Sequence, residues 1–166
     1  MIRHTISIKA DPEIHQGELS CCLQGLQDGD CVKVTQADRN LYLTYRLSEK
    51  MAEKETAVHM QLMMLNDVEE GSCVVEHFSC GRMEHLAVRV SELDWKIVNK
   101  NQMRIAQSFL EQITIVWPGA VIPIYYDEHN FVKLTPLCDK VGRLDVNTTV
   151  EFIEEEKEKG DEDEVE

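Results

Sequence analysis

The stretch from Asp94 to Asp127, DWKIVNKNQMRIAQSFLEQITIVWPGAVIPIYYD, constrains the fold more than any other part of the chain. It reads as strand, helix, strand, turn and strand. Trp95, Ile97 and Val98 form a short apolar run, and Asn101 then offers a side-chain oxygen where a helix needs an N-cap. Met103, Ala106, Leu110 and Ile113 recur at spacings of three and four, with Ile105 and Phe109 beside them. Arg104, Gln107 and Glu111 fall on the other side, so one stripe of this helix faces a core. Ile113, Ile115 and Trp117 then alternate with Thr114 and Val116 until Pro118-Gly119 forces a turn. Val121 to Tyr126 is a further apolar strand. Pro123 marks it as an edge or a bulge, because proline cannot donate a ladder hydrogen bond.

The rest of the chain is consistent with a β-rich α+β unit. At 166 residues and 43% hydrophobic it can bury a core as one domain or as two small lobes. The formal charge of −14 argues against nucleic acid, whose phosphates call for clustered Lys and Arg. Glu151 to Glu166 holds ten acids and two lysines, so residues 154–166 are expected to form an acidic disordered tail. The amino terminus lacks the apolar block of a signal peptide: Ile2, His4, Ile6 and Ile8 alternate as one face of a strand. No stretch approaches the ~20 apolar residues of a membrane span. The chain is therefore read as cytoplasmic, with its six cysteines reduced.

The first half contains a pseudo-repeat. Leu26-Gln-Asp-Gly29-Asp-Cys31-Val32-Lys-Val34 and Val68-Glu-Glu-Gly71-Ser-Cys73-Val74-Val75-Glu76 share the order apolar, two polar, Gly, polar, Cys, Val. In each, a glycine turn feeds a strand. Between the copies, Leu41, Leu43, Tyr45 and Leu47 alternate as a half-buried strand, and Val58, Leu62 and Leu65 make the stripe of a helix predicted over Ala57 to Leu65. The repeat by itself supports a two-fold all-β unit. After the second copy, Gly81-Arg82 reads as a turn and His85 to Val90 as a returning strand. A helical pattern follows soon after, which places a lobe boundary between residues 92 and 93. The second lobe, 93–153, adds a hairpin at Asp127 to Asn130, a strand from Phe131 to Leu137 and a last strand from Thr149 to Ile153.

Catalytic signatures are missing. The spacing of Cys73, His77, Cys80 and His85 fits a zinc site loosely, but Cys73 and His77 share one face of a strand and no CxxC pair is present, so no metal is assigned. Cys21 or Cys22 with His15 could form a thiol–imidazole pair on paper, yet neither cysteine lies in a nucleophile signature. There is no GxxxxGK[ST] and no GxGxxG, so this chain cannot cradle a nucleoside triphosphate in the P-loop manner. Met60, Met63 and Met64 sit on or near the first helix, where methionines serve as core or as an adaptable surface.

The elements DWxI, LxQI, IVxPxAxxPxxxD and, at Gly142 to Leu144, GRL resemble the amino-terminal domains of the peroxin-1 family, the peroxisome-biogenesis AAA+ ATPases. The resemblance is strong from about Asp94 to Phe152 and weaker but collinear before Glu92. It implies a double-psi β-barrel lobe over 1–92 followed by a smaller α/β lobe over 93–153. It also implies a non-catalytic module that holds adaptor or substrate proteins in import-receptor recycling and protein import into the peroxisomal matrix. ATP and Mg would serve the full-length parent, which would pair with a second peroxisomal AAA+ ATPase, peroxin-6. No cofactor is expected in this chain. The position implied is cytoplasmic and peripheral at the peroxisomal membrane. Lys96, Lys100 and Arg104, the local basic cluster near the lobe junction, are the candidate binding residues for an anionic partner or a phosphoinositide headgroup; a solvated helix end is the other reading. The alternative family is the adaptor- and ubiquitin-binding amino-terminal domain of the vesicle-fusion or valosin-containing ATPases.

Overall fold

Alternating burial along the first 77 residues closes a barrel. The computed structural model describes residues 3–48 and 55–155. Six strands, β1 (Arg3–Asp11), β2 (Glu18–Cys21), β3 (Cys31–Gln36), β4 (Arg39–Leu47), β5 (Glu55–His59) and β6 (Gly71–His77), are ordered β1-β5-β2-β4-β3-β6, and β6 pairs back onto β1. Ile6, Ile8, Leu19, Val32, Val34, Leu41, Leu43, Tyr45, Val58 and Val75 fill its interior with their apolar sides. The pseudo-repeat has a direct structural counterpart. Its two copies become β3 and β6, antiparallel neighbours with Val34 opposite Val75. Exchanging β3 with β6, β4 with β1 and β2 with β5 leaves every pairing and its direction unchanged. Gly29 and Gly71 both hold positive φ, +95° and +134°, as the shared glycine position requires.

The helix predicted over Ala57 to Leu65 is shorter. Ala57 and Val58 belong to β5, and α1 spans only Met60–Leu65. Thr56, Ala57, Val58 and His59 are all buried, so continuous burial obscured the strand period. The remaining elements are β7 (Gly81–Arg82), β8 (His85–Val90), α2 (Glu92–Lys100), α3 (Gln102–Gln112), β9 (Ile115–Val116), β10 (Ile122–Tyr125), β11 (Phe131–Leu137), β12 (Gly142–Arg143) and β13 (Thr149–Glu154). They form a four-stranded sheet, β10-β11-β8-β13, and a three-stranded one, β7-β12-β9. The described chain is thus β-rich with three short helices, one closed barrel and two smaller sheets.

Several expectations change here. The apolar run at Trp95, Ile97 and Val98 is the helix α2, not a strand. Ser91 caps it by accepting from the Asp94 N–H, and Glu92 and Asp94 lie in its first turn. Asn101 does occupy the N-cap position of α3, but its amide donates back to the Ile97 carbonyl, so no side-chain cap forms. The buried face of α3 is centred on Ile105 and Phe109, leaving Met103 89% exposed. Gly81-Arg82 is a short strand that pairs in parallel with Gly142-Arg143. β8 does not return to β6; it lies between β11 and β13. Hydrogen-bonded pairing therefore changes partners after β6, whereas residue 92 falls beyond β8. Pro123 sits on edge strand β10, as its missing N–H demands. The acidic run is described only to residue 155; the rest of the expected tail lies outside the described residues.

The two halves meet at a close backbone approach. A Cβ on Gly17 would lie 2.8 Å from the Gln112 carbonyl oxygen, so glycine lets the β1–β2 loop reach the end of α3. Thr44 and Thr114 hydroxyls share a 2.6 Å hydrogen bond across the same junction. His15 reaches the Glu111 carbonyl at 2.9 Å, and Gln16 donates to Gln112 Oε1 at 2.7 Å.

Candidate functional site

The junction opens on one side into a cleft of about 460 Å³. Its walls come from the start of β4, the end of α1 and the β9–β10 loop: Arg39 and Tyr42, Leu65 to Asp67, and Trp117 to Val121. Each wall has a local cause. Pro118-Gly119 turns the chain with φ +80° at Gly119, and Ala120 donates to the Trp117 carbonyl. α1 ends in a Schellman arrangement, in which Val68 donates to Met63 and Asp67 to Met64, with Asp67 itself at φ +56°. Asn66 then clamps the opposite wall. Its amide donates to the Val121 carbonyl at 2.8 Å and accepts from the Val121 N–H at 2.9 Å.

Aromatic contacts run along the cleft. Tyr42 lies 5.7 Å from the Trp117 ring and 5.0 Å, edge-on, from Phe78. Tyr42 and Phe78 remain half-buried, while Trp117 is buried. Above this floor Arg39 pairs with Asp67 at 3.1 Å and donates to its carbonyl. Arg39 and Asp67 also border a second cleft of about 520 Å³, which Met60, Met63 and Met64 line with Glu69 and Glu70. Of the three methionines, Met63 is core and Met64 faces solvent, so the stripe serves both purposes. Such a surface offers an apolar floor, an acidic rim and one guanidinium, which suits recognition of a polypeptide.

The basic residues chosen from sequence lie apart from these clefts. Lys96 and Lys100 are exposed one turn apart on α2. Arg104, on α3, is exposed and donates to the Tyr126 carbonyl at 3.0 Å. The cysteines and histidines also separate. Cys73 lies within the barrel and Cys80 beside Cys31. Among the described residues no three His, Cys, Asp or Glu side chains come together as a metal site would require. Cys21 is buried against Thr56, and desolvation pushes its thiol up to about 11, while His15 is engaged with the Glu111 carbonyl. Burial, aided by the nearby His15 and opposed by Asp11, holds His59 below the ordinary imidazole value. Sequence reasoning missed Arg39, Asn66 and Tyr42 as cleft residues. Tyr42 carried one usable signal, an aromatic on the polar side of an alternating strand.

The motif residues of the second half prove to be joints. Asp94 of DWxI accepts from the Lys133 N–H at 2.9 Å, tying α2 to β11. Gln112 of LxQI holds both backbone groups of Tyr125. Pro118 and Ala120 of IVxPxAxxP shape the cleft wall, and Leu144 of GRL is core. Residues 88–153 match the family model described as peroxisome biogenesis factor 1, N-terminal. A stretch of 74 residues is also 36% identical to the peroxisomal ATPase PEX1 of Cricetulus griseus, covering 42% of this chain and 6% of that relative. The peroxisome biogenesis factor 1 match contains the Trp117–Val121 wall and both clamped strands, β10 and β11. This second half of the chain is therefore similar to the amino-terminal domain of peroxisome biogenesis factor 1, and the chain spans only a small fraction of that relative's length. No helix of the described residues is long and apolar enough to cross a membrane.

Proposed function

We propose that this chain is the non-catalytic recognition module of a peroxisome-biogenesis AAA+ ATPase, presenting adaptor or substrate proteins for import-receptor recycling and matrix protein import. The observation that carries this reading is the cleft at the junction of the two halves, with Tyr42 and Trp117 as its floor and Asn66 fixing its walls. An extended or helical segment with an apolar anchor and a basic residue facing Asp38 and Asp67 would fit it. The chain contains no P-loop, so ATP and Mg would act on the parent's other modules, where a second peroxisomal AAA+ ATPase would also pair. The barrel is read as double-psi on the family resemblance, with its two-fold pairing in support. Lys96, Lys100 and Arg104 form a second, basic face for an anionic partner or a phosphoinositide surface on the cytoplasmic side of the peroxisome.

The test is affinity capture from cytosol plus peroxisomal membranes with the whole 166-residue chain as bait. Enrichment of import receptors or their membrane anchors, lost in Tyr42→Ala combined with Asp38→Lys but kept in an Asp139→Ala control, is the expected outcome. Capture of ubiquitin-pathway adaptors or fusion factors instead would overturn the peroxisomal assignment. Binding unchanged in Lys96→Ala/Lys100→Ala/Arg104→Ala would remove the basic face.

A further inference from the structure

Two thiols and a guanidinium meet near the junction, away from the cleft rim. The Cys31 and Cys80 sulfurs are 3.9 Å apart, and Arg143 Nη2 donates to Cys31 Sγ at 2.6 Å. The three residues arrive from separate pieces of the fold: the first position of β3, the irregular segment between β6 and β7, and β12. A backbone hydrogen bond from the Phe78 N–H to the Cys31 carbonyl, 2.9 Å long, sets the approach of that segment. Cys31 is 3% exposed, but both its partners reach the surface, Cys80 half-buried and Arg143 exposed.

We propose that Cys31 and Cys80 are a peroxide-responsive dithiol that closes to a reversible disulfide, with Arg143 positioning the Cys31 sulfur as nucleophile. The Cys31 thiolate attacks one oxygen of hydrogen peroxide. The O–O bond breaks, hydroxide leaves, and a sulfenic acid remains on Cys31. The Cys80 sulfur then attacks the Cys31 sulfur, the S–O bond breaks, and the departing oxygen leaves as water with the Cys80 proton. Two thiols and one peroxide become one disulfide and two waters. A dithiol reductant reverses the step by exchange.

The contacts agree with this division of roles. Burial first, then the neighbouring Cys31 sulfur, push the Cys80 thiol up to about 11 against the opposing charge of Arg143. Arg143 donates to the Cys31 sulfur, and Cys80 stands 3.9 Å from that same sulfur, placed to resolve it. Closing from 3.9 Å to the ~2.05 Å of a disulfide displaces a segment outside the strand ladders, not a strand interior. By contrast, Cys21 and Cys73 are enclosed by the barrel, and burial pushes each up to about 11.

The experiment exposes the reduced full chain to rising hydrogen peroxide, quenches by alkylation and maps thiols and linked peptides by mass spectrometry without reduction. The expected result is a Cys31–Cys80 linked peptide, reversed by dithiothreitol, at peroxide levels that leave Cys22 and Cys138 alkylatable. Cys80→Ser should form no link and instead carry a dimedone-trapped sulfenic acid at Cys31. Arg143→Gln should slow linkage about tenfold, with most of the rate restored in Arg143→Lys. Oxidation of Cys22 or Cys138 without the link, or no dimedone adduct at Cys31 in Cys80→Ser, would overturn the site. Equal rates in wild type and Arg143→Gln would overturn the role of Arg143.

Discussion

Gln112 joins three segments through one amide. Its Nε2 donates to the Tyr125 carbonyl at 2.8 Å, and its Oε1 accepts from the Tyr125 N–H at 3.0 Å and from Gln16. Truncation leaves both backbone groups of Tyr125 on an edge strand without their partner and leaves the Gln16 amide only its bond to the Pro123 carbonyl. Gln112→Ala is therefore expected to cost on the order of 2–4 kcal/mol by urea denaturation. The LxQI element marks this glutamine apart from the exposed Gln107 but not what it does, because its partners lie on β10 and on the loop before β2 and only the assembled fold supplies them. The same holds for Asn66 and Val121. Pro118 and Gly119 were legible for the opposite reason: proline's fixed φ and glycine's access to positive φ act locally.

Elements were legible where one period dominated a long enough run. β4 alternates in sequence from Leu41 to Leu47 and β11 over its seven residues, and both are legible as strands. In the second half one exception is α2, where Trp95, Ile97 and Val98 satisfy a strand and a helix equally over four positions. The deciding information lies upstream, in Ser91, whose side chain accepts from the Asp94 N–H, with Glu92 and Asp94 placing acid in the first turn. Ser91→Ala removes that acceptor and should lower stability by about 1 kcal/mol in thermal denaturation, with Ser91→Asp close to wild type. α3 shows a subtler limit. Its sequence carries apolar residues on two adjoining faces, so the moment gives a helix without its rotation. Packing then selects Ile105 and Phe109 and leaves Met103 in water.

At the scale of the whole molecule the decisive strand is β8. It pairs with β11 on one side and with β13, in parallel, on the other. A fragment beginning at residue 93 would lack the strand between these two and expose Val88 and Val90's partners, among them Leu134 and Phe152. Residues 93–155 are therefore expected to give no cooperative melt by circular dichroism, whereas residues 79–155, which retain β7 and β8, should recover one. The strand itself was read correctly from sequence, but its partners were not. A parallel partner some sixty residues later leaves no trace in local pattern, whereas a hairpin does.

The placement of β8 also orders events during synthesis. Every barrel strand finds its neighbours within the first 77 residues, so that part can close as soon as it clears the ribosome. β8 emerges soon after and waits first for β11 at Phe131–Leu137 and then for β13 at Thr149–Glu154, almost the last described segment to appear. Until β11 appears, Leu86, Val88 and Val90 have no sheet to join. The growing chain thus carries a finished barrel beside an unpaired apolar strand, and this interval is where a chaperone would find most to hold.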